Sequence, residues 1–381
     1  MFSPKVLRII RSVIKFLEKT RLFPFAWDDA RNKMTVIRSK ATIIYSTIYC
    51  WHYPFYICFT LVQLLHSIQS STQKGITDTY WLIMMTVGFR LISVTMYGPL
   101  LKRNLQVAYF NQIVGLDEMI TKLSIPGSSR IMQKSAKWVE LVIKTNVLAA
   151  LTSSIFMNGI FLLKPSAPQY IYSVWPYKTS TCAFLIFTGF EFYTKTINLI
   201  ATMLFQAWFL CAIMFEYTAL CIIRKSKDPV STRITYYKCV NLVNTLHNES
   251  YPTHMLPERI AFFGFLAVTS AFVVVRLLHN FQIVEQVLVL QFLATMLIIP
   301  SVILSLSGQI VKLSGNLKKE LEQSIVNGKN FKLHAKMVKS LRPFGVRIAP
   351  IQTVHSYGFP VYLGYVVSNF TTVLVNYAHL E

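Results

Sequence analysis

The feature that most constrains this chain is a series of seven long apolar segments, at about residues 41–66, 79–101, 138–163, 192–223, 258–279, 281–312 and 354–379. Each supplies the ~20 residues a helix needs to cross ~30 Å of hydrocarbon. Inside lipid a chain must satisfy its own backbone hydrogen bonds, so segments of this length are helices. The sequence predicts an all-α fold, a polytopic membrane protein with seven transmembrane helices. The fourth and sixth segments exceed the requirement and should tilt or project beyond the bilayer. The fifth and sixth almost touch, which predicts a tight helical hairpin at His279–Asn280. Only 14% of residues are charged, about half of what a soluble surface carries.

The charge that exists is strongly basic, with a net value of +22. It lies between the apolar segments rather than on a polar domain, so it reads as membrane topology and not as a nucleic-acid surface. Residues 1–40 and the loops 102–137, 224–257 and 313–353, with Lys312 at the edge of the last, carry 30 of the Lys and Arg residues, whereas loops 67–78 and 164–191 carry 3. That asymmetry predicts a cytoplasmic N-terminus and an extracellular C-terminus. Residues 5–19 alternate Lys5, Arg8, Arg11, Lys15 and Lys19 with Val6, Ile9, Ile10, Val13, Phe16 and Leu17. This is a basic amphipathic helix, expected along the inner membrane surface, with packing on the loops as the alternative. The six cysteines include no CxxC pair, and no histidines show ligand or triad spacing. No enzyme activity, cofactor or metal is expected.

Polar groups within the spans are the candidate functional residues. Ser368, Thr372, Asn376 and His379 recur at helical spacing in the last segment and form one stripe,. Such a stripe must face protein or water, so it lines a pore or glues two helices together. Tyr80, Trp81, Phe156, Phe161, Phe187, Phe190, Tyr193 and Phe281 gather near the outer face, with Glu191, Gln282 and Gln286 as polar neighbours. That mixture suits a small-ligand pocket, although aromatic belts and core packing use the same residues. Arg90 sits mid-way through the second segment as a buried charge, and Glu191, Glu216 or Glu285 would be its partner,. The basic loop 313–353 suits anionic membrane lipids or contacts between subunits.

A G-protein-coupled receptor does not fit, because the orientation is reversed and neither the acidic-Arg-aromatic triplet of span 3 nor the Asn-Pro-Tyr pattern of the last span occurs. The C-terminal third points elsewhere. Span 6 reads PSVILSLSGQIVKLSGNL at 300–317, SLRPFGVRIAPI follows at 340–351, and the last span ends SNFTTVLVNYAHLE. The chain resembles the insect-type chemoreceptor superfamily and is similar to its gustatory receptor family. The last span of that family carries Thr-Tyr, five mostly apolar residues and Gln-Phe. Thr372 matches the Thr, while Val373, His379 and Leu380 replace the other three. The resemblance implies a tetrameric ligand-gated non-selective cation channel in the plasma membrane of chemosensory neurons. Its partners would be a small-molecule tastant or odorant, permeating cations, and copies of itself or related subunits in a homotetramer or heterotetramer. It divides the chain into a cytoplasmic segment 1–40, a ligand-binding bundle 41–312, a cytoplasmic anchor 313–353 and a pore-lining helix 354–381. Odorant receptors share this architecture and are the close alternative. A transporter is the third, but no internal repeat supports it.

Overall fold

The computed structural model describes residues 2–21, 23–69, 75–121, 128–177, 180–251, 255–325, 331–348 and 352–377. Helices α1 (Pro4–Lys19), α2 (Lys40–Gln69), α3 (Gly75–Leu101), α4 (Arg103–Thr121), α5 (Ser128–Leu163) and α6 (Thr181–Lys225) are followed by α7 (Val230–Ser250) and α8 (Met255–Phe272). A π-helical turn (Val273–Leu277) and a 3-10 turn (Leu278–Asn280) join α8 to α9 (Ile283–Ser324), and α10 (Phe331–Lys339) and α11 (Gly358–Asn376) complete the chain. A single antiparallel hairpin, β1 (Phe25–Asp28) with β2 (Lys33–Val36), interrupts the helices among the described residues.

Among the described residues six helices, α3, α5, α6, α8, α9 and α11, are long and apolar enough to cross a membrane. Helix α2 has a comparable length, 30 residues, but Tyr45, Ser46, Thr47, His52 and three further tyrosines dilute its apolar character. Helix α6 is the central post, with 72% of its most apolar stretch buried, and it packs on α5, α9, α7 and α3. Helix α11 is the opposite case, with 11% buried. It rests on α8 and α9 alone among the stronger contacts.

Two prolines lie inside helices, Pro54 in α2 and Pro300 in α9. A proline has no N–H, so the carbonyl four residues earlier loses its helical donor. Tyrosines from neighbouring helices supply the missing hydrogen bond in both places. The Tyr97 hydroxyl donates to Cys50 O at 3.1 Å, and the Tyr362 hydroxyl donates to Met296 O at 2.7 Å. Each break is thereby tied to a second helix.

The end of the bundle that carries most of the basic residues is built up by the elements between the long helices. Ser3 caps α1, its Oγ accepting from Val6 N at 3.3 Å, and Pro4 takes the first helical position,. Val6, Ile10, Ile14 and Leu17 are buried. The apolar face read as a membrane-surface element is therefore turned to the protein. Phe2 packs near Trp208, ring centroids 5.9 Å apart, and its N–H donates to Asp117 Oδ2 at 2.8 Å. Lys5 pairs with Glu140 at 2.8 Å. The hairpin was not foreseen. Phe25 and Trp27 point into the core between half-exposed neighbours, and Asn32, at φ 50°, allows the tight return,. Helix α9 runs unbroken to Ser324, so the segment LKKELEQS at 317–324, inside the stretch assigned to the cytoplasmic anchor, continues the sixth apolar helix.

The two C-terminal stretches singled out in the sequence meet in space. Phe344 N donates to Ser314 Oγ at 3.1 Å, and that hydroxyl donates to Phe344 O at 2.9 Å. A Cβ on Gly345 would overlap the Val311 side chain, and one on Gly308 would lie 2.7 Å from the backbone of His355 and Ser356. Glycine is required at both positions because the chain entering α11 crosses directly over α9.

Candidate functional site: a cavity on α6 and the exposed helix α11

Helices α3, α5, α6, α8 and α9 border a cavity of about 120 Å³. Met85 and Phe89 of α3, Met157 of α5, Phe263 of α8 and Phe292 and Met296 of α9 make it apolar. Methionine and phenylalanine walls suit a small apolar guest, because thioether chains adapt their shape. Helix α6 contributes something different. Lys195, Asn198, Thr202 and Gln206, spaced three or four residues apart, fall on one helical face and line the same cavity,.

This polar face is anchored from behind. Lys195 Nζ lies 3.0 Å from Glu191 Oε2, with side chains 4% and 0% exposed. The Tyr56 hydroxyl donates to Glu191 Oε1 at 2.9 Å, and Lys195 Nζ sits 4.2 Å from the Tyr170 ring centroid. A buried charge is tolerated only when paired, and the ring face adds a cation–π contribution. Asn198 Oδ1 accepts from Tyr49 at 2.9 Å and from Tyr53 at 2.6 Å.

None of the aromatic and polar residues selected from the sequence is part of this cavity's lining. They form three groups. Tyr80, Trp81 and Phe281 pack together, with Phe281 5.5 Å from Tyr80 and 6.3 Å from Trp81. Trp81 Nε1 donates to Glu285 Oε1 at 3.1 Å, and Lys164 pairs with the same carboxylate at 3.0 Å. Phe161 meets Tyr170 edge-to-face at 5.0 Å, while Phe187 packs against Tyr172 at 5.5 Å. Phe190 and Tyr193 turn towards α2, near His52 at 6.1 Å and Tyr49 at 6.5 Å. Phe156 is a partly buried packing residue. Gln282 caps α9 with Glu285, and Gln286 donates to the carbonyls of Leu278 and Phe281 at 3.1 and 2.9 Å. Glu191 is the member that reaches the cavity indirectly, through Lys195.

Arg90 is not buried. Its side chain is 47% exposed and pairs with Glu258 of α8 at 3.2 Å. The three acids expected to compete for it are taken elsewhere: Glu191 by Lys195, Glu285 by Lys164, and Glu216 by Asn244 at 2.7 Å and His247 at 3.2 Å. His247, within the stretch 224–257 read as a loop, is 1% exposed inside α7.

Helix α11 buries Tyr362 and Val366 against the bundle. Ser368, Thr372 and Asn376 are exposed on a different face, and Thr372 Oγ1 donates back to Ser368 O at 2.9 Å. Val361, Val367, Val375 and Tyr377 are exposed too. His379 lies outside the described residues.

No protein-family model and no curated protein sequence matches the chain. Solved structures do. The olfactory receptor OR5 from the insect Machilis hrabei, solved in complex with eugenol, superposes with a TM-score of 0.72 at 11% identity, covering 96% of this chain and 97% of that one. A second structure of the same receptor gives 0.70 at 13% identity, covering 97% of both chains. The chain has the fold of an insect olfactory receptor. With several long apolar helices in that fold, it is a multi-pass membrane protein.

Proposed function

We propose that this chain is a chemosensory receptor subunit, a tetrameric ligand-gated non-selective cation channel of gustatory type. The observation that carries the reading is the near full-length likeness to an olfactory receptor solved with a small aromatic molecule. In this reading α2 joins the six more apolar helices as a seventh span. The N-terminus is cytoplasmic, the C-terminus extracellular, and the receptor stands in the plasma membrane of sensory neurons. The 30-to-3 distribution of Lys and Arg supports that orientation,.

The cavity on α6 receives the ligand. Met296 lines it, and the carbonyl of that same residue holds the Tyr362 hydroxyl of α11. A guest that moves α9 near Pro300 therefore pulls on α11 through one hydrogen bond. The exposed apolar surface of α11 is what a helix shows when copies of the chain are to cover it, and the stripe 368–372–376 then faces the shared axis, continued by His379,. The segment 313–353 and the basic loops supply the contacts among subunits and to anionic lipid.

The olfactory type is the second reading, favoured by the identity of the structural neighbours. The two are separated by expressing the chain alone and with a related subunit, applying a panel of small volatiles and tastants, and recording current with G-protein signalling blocked. Current from the chain alone supports the gustatory type. Current only with the second subunit supports the olfactory type. Ligand responses that vanish with G-protein blockade contradict both. A tag at Glu381 should bind antibody on intact cells, and a tag at Met1 only after permeabilisation.

A further inference from the structure

The ligand cavity carries more polar capacity than its own walls use. Asn198 Nδ2, Thr202 Oγ1, Gln206 Nε2 and Lys195 Nζ are all buried without a hydrogen-bond partner, and all four residues line the cavity. Lys195 is ion-paired with Glu191 at 3.0 Å, and an ammonium with three N–H donors keeps capacity for a further acceptor beside that pair. Unpaired buried polar groups are costly and uncommon, so four on one face of one helix call for an explanation.

The chemistry of the four is biased. Lysine has only donors to offer. Asn198 has committed its oxygen to the hydroxyls of Tyr49 and Tyr53, which leaves its N–H₂ for the cavity. Thr202 can donate as well. An acceptor is what these groups lack. A carboxylate ligand would supply one, but Glu191 already balances Lys195, and a further anion would be buried without a counter-charge,. An alcohol would bring a donor of its own, to be satisfied among methionine and phenylalanine. The size is limited too. A cavity of about 120 Å³ is close to the ~150 Å³ that holds one benzene ring in a protein core.

Resting on the reading of this cavity as the ligand site, we infer that the α6 stripe selects neutral ligands that carry a hydrogen-bond acceptor, a carbonyl, ester or ether oxygen, on an apolar body of about one ring. Binding gives the acceptor to Asn198, Thr202 and Lys195 and leaves the apolar body to Met85, Met157 and Phe292.

The test uses the purified full chain in lipid nanodiscs and two probes of one shape, cyclohexanone and methylenecyclohexane, in which a carbonyl oxygen is replaced by a CH₂. Dissociation constants come from the ligand dependence of thermal unfolding. The quantity read is the ratio of the two constants in the parent relative to variants, which cancels the partition of each probe into lipid. Asn198→Leu, and separately the double variant Thr202→Val with Gln206→Leu, should lower the preference for cyclohexanone by about tenfold. The double variant removes only unpaired groups, so it folds even where Asn198→Leu, which strips Tyr49 and Tyr53 of their acceptor, does not. An unchanged ratio in the variants, with both probes still binding, overturns the ligand class and leaves the cavity reading standing. If neither probe binds, or if the cavity-filling Met157→Trp leaves both constants unaltered, the cavity reading itself falls, and this inference with it.

Discussion

Tyr362 of α11 donates its hydroxyl at 2.7 Å to the main-chain carbonyl of Met296 in α9, the acceptor that Pro300 leaves without its helical donor. The bond links a wall of the cavity to the helix proposed to line the pore, and it satisfies the carbonyl that the proline leaves without its helical donor. Tyr362→Phe keeps the ring packing and removes the bond, which is worth about 1 kcal/mol or somewhat more for a buried acceptor. We expect a several-fold loss of ligand-evoked current at saturation, with ligand affinity in nanodiscs little changed. In a Pro300→Ala background the backbone N–H returns to Met296 O, and Tyr362→Phe should then cost much less. Equal effects of Tyr362→Phe in both backgrounds would remove the coupling.

Gly308 and Gly345 are the second place where α9 and the approach to α11 depend on each other. Gly308→Val should block assembly at the cell surface, because the added side chain meets the backbone at His355–Ser356. Gly345→Ala should destabilise through Val311. Gly315, with nothing near its Cβ position, is the control. Gly315→Ala should be neutral or stabilise by up to ~1 kcal/mol, since glycine in a helix interior is unfavourable. Surface labelling and detergent thermal stability distinguish the three, and a fully expressed Gly308→Val would show that the crossing is not tight.

The buried pair on α6 makes a third prediction. Lys195→Met leaves the Glu191 carboxylate uncompensated at 0% exposure, which should cost about 3–5 kcal/mol and sharply reduce the yield of folded protein. Adding Glu191→Gln removes the stranded charge, so the double variant should recover most of the thermal stability. A Lys195→Met protein as stable as the parent would contradict the stabilising role of the pair.

These features divide cleanly into those a linear reading reaches and those it does not. The long helices are legible from their apolar runs, and α2, α3, α5, α6, α8, α9 and α11 fall on the seven segments. The β1–β2 hairpin is not legible, because four-residue strands with one buried pair of aromatics carry almost no period. Partners across helices are equally hidden: Arg90 pairs with Glu258, and Glu216 with His247, through contacts that only the packed bundle defines. The cavity is the instructive case. Choosing aromatics near the outer ends selected residues that pack on one another. The spacing rule that singled out Ser368, Thr372 and Asn376 in the last span also picks Lys195, Asn198, Thr202 and Gln206 in α6. A polar stripe was the available signal, and in α6 further polar residues such as Thr194, Thr196, Glu216 and Thr218 obscured it.

The central claim is that ligand binding opens a pore lined by α11, and single cysteines along that helix test it most directly. Ser368→Cys, Thr372→Cys and Asn376→Cys should react with a small charged thiol reagent during ligand application and block the current, whereas Tyr362→Cys and Val366→Cys, on the face packed against the bundle, should be protected. The native cysteines outside α11 serve as the background, measured in the parent chain. Block that follows this three-to-four-residue period places α11 at the pore. Block without a period, or equal block in the parent, would contradict the account and leave the α11 stripe as a contact between helices.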